Sequence, residues 1–444
     1  MHAQSTSRSH EANGEVAATE NNSALRSFAS HHTIGVFCGL AAGVWLGAAE
    51  APTKLVNSGF SPFAISLCMV AGVFIARWTF PTLLKGTRSV FADLAENRHL
   101  IIWAVLAGAL WAVANTLTVF AIRDVGLTIA FPLWNTNSLI GILWGRLLFG
   151  ELKHAEAKNV AKVVIGALAI VAAAIMLGFS TIHGGASPSP RATGGVLAAM
   201  GASLLWGTMY VPYRKAYVSG MNPLSFVTVF TVGELGTVLA LLLAFDGGMH
   251  SPVFHLAQTR HMLFWLFLGG FVWVIGDLFQ QYATKYLGIG RAIPLSNTNQ
   301  LWGLAWGALV FGELAGADWH HKLLVFLGSG VMILGALAIS TAVATEREHS
   351  STNQAVLREC QRYDLDYHRV LHAYRGSGNR TERRDWWDYL IVAAAASVFL
   401  WLGWNATIPP LAMNFRWIII LMSALVLTLS AYIWGLWKST QSDT

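Results

Sequence analysis

Cysteine and charge are both scarce in this chain of 444 residues. The three cysteines, Cys38, Cys68 and Cys360, offer no disulfide framework and no metal-ligand spacing. Charged residues make up 12% of the chain, which is too few to coat a water-soluble domain of this size. The fifteen histidines fall in tails, loops and span edges, which excludes a histidine proton relay inside a bilayer. No nucleophile–base pair, metal cluster or phosphate-binding glycine loop is visible, so an enzyme is the weakest reading and no cofactor is expected. The first 32 residues are polar, and no charged-then-apolar leader precedes the first apolar run.

What is abundant is apolar length. Hydrophobic residues reach 55%, and mean hydropathy is +0.51. A hydrocarbon core about 30 Å thick takes roughly 20 apolar residues per helix. Twelve such runs occur, at 33–51, 62–84, 100–122, 126–149, 159–180, 192–213, 222–245, 262–284, 289–312, 323–343, 388–408 and 415–437. Long runs rather than short alternating segments predict helices, hence an all-α polytopic membrane protein. Counting Lys and Arg with the N-terminus inside gives ten in interior loops against five outside. The tail after the tenth run adds eight arginines on the inner side, so both termini are expected in the cytoplasm of a plasma-membrane protein. The net charge of +6 is then a topology signal and implies no nucleic-acid partner.

The chain also repeats itself. Gly126–Leu152 and Gly288–Leu314 match at 16 of 27 positions, without a gap, at an offset of 162. At that offset Trp103 pairs with Trp265, Gly108 with Gly270, Trp111 with Trp273 and Arg123 with Lys285, while Pro52 and Pro62 correspond to Pro212 and Pro223 with small shifts. Spans 1–5 and 6–10 therefore form two units, and because five is odd the second must enter the membrane inverted. The expected organisation is a polar tail at 1–32, a five-helix repeat at 33–182, its inverted mate at 190–344, a cytoplasmic amphipathic helix and linker at 345–386, and an accessory hairpin with a short tail at 387–444. Val356, Cys360, Tyr363, Tyr367, Val370, Leu371 and Tyr374 mark the apolar face of that helix.

Polar groups inside the spans are the candidate site, since they are costly there unless paired or facing a cavity. Asn135-Thr136-Asn137 and Asn297-Thr298-Asn299 lie near mid-span in symmetric positions, three residues after Pro132 and Pro294. Proline frees backbone carbonyls, and asparagine both donates and accepts, which suits a hydroxyl-rich ligand. The competing reading is that the asparagines bind helix to helix. Trp273, Asp277, Gln280 and Gln281 share a face of span 8, matched on span 3 by Trp111, Asn115 and Thr118. An acid in one half stands where the other has an amide, and that asymmetry suits ion coupling. Asp277 is one candidate proton carrier, with a paired structural carboxylate as its alternative. Glu234, mid-way along span 7 without an evident partner, is another.

The tryptophans paired by the repeat, Trp111 with Trp273 and Trp144 with Trp306, could form stacking walls, as could Trp206, Tyr210 and Tyr213 on span 6; packing is the competing reading for each. Arg77 and Arg146 are expected to snorkel to the inner surface. Glu50 is read as a surface group, and Glu151 and Glu313 as hinges or gates. The glycines of Leu268-Gly269-Gly270 and of Gly303 to Gly307 allow close helix contact.

These residues resemble the drug/metabolite transporter superfamily, whose ten spans form two inverted five-helix repeats with Gly-Glu near the end of each fourth helix. Gly150-Glu151 and Gly312-Glu313 fit that pattern. The Pro-Leu-x-Asn-Thr-Asn…Trp-Gly…Phe-Gly-Glu-Leu pattern is similar to the glucose/ribose/rhamnose uptake branch, over about residues 33–344. The resemblance implies proton- or sodium-linked sugar import; the C-terminal hairpin departs from it and leaves a dimer open. The reading is a monosaccharide symporter with alternating access in the bilayer. Asn135, Asn137, Asn297, Asn299, Trp111, Trp273, Asn115, Gln280, Gln281 and Tyr210 meet the sugar, and Asp277 and Glu234 carry the proton. Its rivals are an exporter of metabolites or drugs on the same fold and a non-transporting sensor or assembly subunit.

Overall fold

The computed structural model describes residues 31–49, 51–52, 60–125, 130, 133–179, 191–251, 256–312, 314, 316, 318–343, 345–375, 384–408 and 413–441. Every regular element among them is helical. In chain order they are α1 (His31–Ala48), α2 (Pro62–Leu84), α3 (Thr87–Glu96), α4 (Ile101–Val125), α5 (Asn137–Leu148), α6 (Ala157–Phe179), α7 (Ala192–Val218), α8 (Pro223–Phe245), α9 (Leu256–Leu287), α10 (Ile289–Ser296), α11 (Asn299–Ala305), α12 (Trp319–Ser340), α13 (Glu346–Tyr363), α14 (Tyr367–Arg375), α15 (Trp386–Asn405) and α16 (Phe415–Gln441). Nine helices among the described residues are long and apolar enough to cross a bilayer, which makes this an integral membrane protein. Leu400, Trp404, Ile419 and Leu427 are exposed on α15 and α16, where lipid replaces water as the surrounding medium.

Local chemistry sets the helix starts in matching places. Ser61 caps α2 by accepting from Ala64 N, and Asn222 caps α8 by accepting from Leu224 N, each followed by a proline at the first helical position. The ninth predicted span is not one helix. It breaks at Asn297-Thr298 between α10 and α11, and α11 runs into a π-turn at Trp306–Val310. In the fourth span the described part has a turn at Asn135-Thr136 before α5. Both Asn-Thr-Asn triplets therefore lie at helix breaks, as the prolines upstream suggested; Pro132 itself is outside the described residues.

Glycine sets the closest helix crossings. A Cβ on Gly108 of α4 would sit 2.0 Å from Phe230 O of α8, and one on Gly233 of α8 would sit 2.2 Å from Val105 O. A Cβ on Gly270 of α9 would sit 2.0 Å from Met69 O of α2, and one on Gly72 of α2 would sit 2.1 Å from Phe267 O. The second helix of each sequence unit thus crosses the third helix of the other. A further pair repeats the relation: Gly47 of α1 abuts Asn299 O, and Gly207 of α7 abuts Asn137 O. Gly166 of α6 and Gly335 of α12 abut each other's carbonyls.

The segment after α12 differs from expectation. Two helices, α13 and α14, form where one was predicted, because Asp364 takes a left-handed conformation with φ 52° and turns the chain. Val356, Cys360 and Val370 are buried against Val218, as the apolar face predicted. The linker at 376–383 lies outside the described residues.

Candidate functional site

The two close crossings bring three charged side chains together. Arg77 lies five residues beyond Gly72, Asp277 seven beyond Gly270, and Glu234 directly after Gly233. Arg77 Nη2 donates to Asp277 Oδ2 at 2.6 Å, and Arg77 Nη1 stands 3.0 Å from Glu234 Oε2. All three side chains are 0% exposed. The guanidinium is held between the faces of Phe230, 4.1 Å from its centroid, and Trp273, at 5.4 Å.

This overturns the expectation that Arg77 snorkels. It lies seven residues from the end of α2, about 10 Å deep at 1.5 Å per residue, which is beyond the reach of its side chain to the surface. Glu234, which had no partner evident in sequence, has one in Arg77. Arg146, by contrast, is exposed near the end of α5.

Around the charged group the polar network continues. Gln281 Nε2 donates to Asp277 Oδ2 at 2.6 Å, and the Tyr217 hydroxyl donates to Gln281 Oε1. Trp273 packs on Trp111 with ring centroids 4.8 Å apart. Tyr213, flanked by Tyr210, Tyr217, Phe226 and Phe230, completes an aromatic shell. Several buried polar atoms here lack a hydrogen-bond partner among the described residues: Trp111 Nε1, Trp206 Nε1, the Tyr213 hydroxyl, Arg77 Nε and Asp277 Oδ1. Asn115 turns away and donates to Ser66 Oγ at 2.9 Å.

The asparagine triplets meet in a second cluster. Asn297 Nδ2 lies 2.8 Å from Asn137 Oδ1, 2.6 Å from Ser138 Oγ and 3.2 Å from Asn135 O. Asn135 Nδ2 donates to Gln300 Oε1 at 3.0 Å. Positions 138 and 300 correspond at the repeat offset, so each triplet reaches the same position of the other. Asn135, Asn137 and Asn297 are thus joined as a clasp, while Asn299 stands apart against α1. Gln280 donates to Ser296 Oγ at 2.5 Å, next to Asn297 in the chain, and so links clasp and charged cluster. Trp144 donates to Thr208 Oγ1 at 3.1 Å and Trp306 packs with α1, so neither joins the Trp111/Trp273 wall.

At one end of the bundle α13 and α14 tie the two halves together. Glu151 accepts from Ile289 N at 3.0 Å and Gly290 N at 2.9 Å, capping α10, and pairs with Arg214 at 3.3 Å. Glu348 of α13 accepts from Leu152 N at 3.2 Å and from Arg291 at 3.0 Å. Glu359 pairs with Lys215 at 2.6 Å, and the Tyr374 hydroxyl donates to Lys285 O at 2.9 Å. The gate expected at Glu151 is therefore a built junction; Glu313 and Glu50 lie outside the described residues. Beyond the spans, burial pushes the Asp93 carboxyl of α3 above its usual range, despite bonds from Asn222 N and Asn97.

Sequence reasoning assigns Arg77 to the surface and misses Tyr217, Ser138 and Gln300, while Tyr213 is among its stacking candidates. A lone arginine in the otherwise uncharged α2 was the one signal available for Arg77.

Two family models match, one on each half. Residues 57–180 match a family described as "Sugar transport protein", and residues 193–341 match the EamA-like transporter family. The chain is similar to the glucose uptake protein GlcU of Staphylococcus xylosus, with 24% identity over 240 residues, 53% of this chain and 77% of the relative. It is also similar to a probable glucose uptake protein GlcU of Staphylococcus epidermidis, at 22% over 246 residues, 54% of this chain and 77% of that one. The chain thus resembles the drug/metabolite transporter superfamily in its second half and sugar transport proteins in its first.

Proposed function

We propose that the protein imports a monosaccharide by proton symport with alternating access. The observation that carries this is the Arg77, Glu234 and Asp277 cluster set beside the Trp111/Trp273 wall inside a bundle of spans. Sugars present apolar C–H faces and hydroxyls that donate and accept. The partnerless Trp111, Trp206, Tyr213 and Asp277 atoms offer that combination, and carboxylates and guanidinium are strong partners for hydroxyls. The relatives named for glucose uptake favour a sugar over the drugs or metabolites of an exporter.

The reciprocal crossings and the reciprocal asparagine clasp support two inverted five-helix units at 33–182 and 190–344, related by an axis between α6 and α12. The charged cluster is fully enclosed, as in an occluded state, so access on either side requires one unit to rock against the other. Asp277 or Glu234 carries the proton. The asparagine clasp, at the axis, separates or re-forms with that motion and exposes its amides to the sugar. Both termini face the cytoplasm in this arrangement, which puts the α13–α14 junction on the inner side.

The test is uptake of radiolabelled glucose, ribose and rhamnose into proteoliposomes, with and without an imposed proton gradient. Gradient-driven accumulation of one sugar is expected. Folded protein that moves none of them refutes the reading.

A further inference from the structure

We propose that Arg77 fixes the stoichiometry of the buried acid pair, so that Glu234 and Asp277 together form a site for one proton. The proposal rests on the transport reading for its use in coupling; the charge balance itself stands on geometry. Three ionisable side chains from α2, α8 and α9 meet at zero exposure. Fully ionised, two carboxylates and one guanidinium sum to one negative charge. The neighbours that face them are Phe230 and Thr231 of α8, Trp273 and Gln281 of α9, and Tyr210, Tyr213 and Tyr217 of α7, none of them a cation at neutral pH. An uncompensated charge inside a bilayer-embedded bundle is expensive. One bound proton brings the cluster to neutrality, and a second would leave the guanidinium unpaired.

The geometry also explains how the proton can be shared. Separate nitrogens of the one guanidinium address Asp277 and Glu234. Arg77 can therefore hold either carboxylate ionised while the other is protonated, and the pair titrates as a unit. A proton needs no added room in this enclosed cluster. Because Glu234 and Asp277 stand on α8 and α9, a shift between these helices and α2 changes which acid Arg77 favours. The proton's residence is thereby tied to the conformation.

A charge-balance series in the full chain tests this without reference to transport. Glu234→Gln and Asp277→Asn each leave Arg77 with one carboxylate, and are expected to fold at least as well as wild type at pH 7 in detergent melting and size-exclusion profiles. Arg77→Gln leaves two acids without a cation, and Glu234→Gln with Asp277→Asn leaves a cation alone; both are expected to lose most of the folded protein. The triple neutral variant is expected to recover a large part of it. Arg77→Gln as stable as Asp277→Asn, or a triple variant no better than the double, overturns the proposal.

In proteoliposomes with glucose as probe, any uptake that remains in Glu234→Gln or Asp277→Asn should be indifferent to an imposed proton gradient that drives wild type. Gradient-driven accumulation in either variant, or a requirement for sodium in wild type, overturns the one-proton assignment. Wild type that moves no glucose sinks the sugar reading and leaves the stability series to decide the charge balance.

Discussion

Gly108→Ala should damage this protein more than an alanine substitution in a helix ordinarily does. The new Cβ would lie 2.0 Å from Phe230 O and 2.8 Å from Glu234 N. A relaxed carbon–oxygen contact is about 3.3–3.6 Å, so α4 and α8 must part by roughly 1.3 Å or more. Overpacking of this kind costs about 1–3 kcal/mol, and gaps of this width along the crossing forfeit a further share of its dispersion attraction. A total of about 2–4 kcal/mol corresponds to roughly 2–4 °C in apparent melting temperature for a chain of this size. Gly270→Ala meets the same 2.0 Å contact, with Met69 O, in the other crossing and should cost about as much. Gly236→Ala and Gly330→Ala meet no atom within 4 Å and serve as controls. They should be neutral or gain about 0.5–1 kcal/mol from reduced chain entropy. The assay is thermal loss of the monodisperse peak in detergent. A Gly108→Ala melting temperature equal to that of Gly236→Ala would refute the close crossing. Because the Arg77 cluster joins the two crossings, the Gly108/Gly270 double variant should show losses that depart from the sum of the single ones.

Three further outcomes follow from other parts of the structure. Asn297→Ala removes the donor to Asn137 and Ser138 and should cost about 1–3 kcal/mol of stability, together with uptake; unchanged melting and unchanged sugar kinetics would show that the clasp is idle. Glu348→Gln combined with Tyr374→Phe should loosen α13 and α14 and speed maleimide labelling of Cys360, which is 3% exposed, while Cys38 and Cys68 stay shielded within the spans; equal labelling rates would argue against the junction. Asp93 is raised in the folded protein, chiefly by burial, so its contribution is full below the unfolded pKa and is lost as pH rises through the folded pKa. Asp93→Asn should therefore gain melting temperature relative to wild type as pH rises above the usual carboxylate range, with Lys85, Asn97, Asn222 and Ser225 its neighbours, and a difference that stays flat from acid to neutral pH would contradict this.

Hydropathy alone located the spans because a bilayer demands some twenty apolar residues in line, and that demand is written locally. Pro62–Leu84 appears in the structure with the predicted bounds, and Pro223–Phe245 differs by one residue at its start. The repeat likewise marked Asn-Thr-Asn as special, since residues 162 apart can be matched without knowing what they touch. The bend at Asp364 was not legible, because a single left-handed residue leaves the apolar spacing of α13 and α14 undisturbed. Whether the asparagines pack on one another was equally hidden, as amide partners come from the opposite half.

Sequence by itself thus determined the apolar helices, the twofold repetition and the polar residues that stand out within the spans. Only the tertiary structure decided that Arg77 serves two acids, one of them 200 residues away. The reason is physical. An arginine in a span must find a counter-charge, but which one depends on the α2·α9 and α4·α8 crossings, and those are fixed by glycine contacts between helices that no linear pattern pairs.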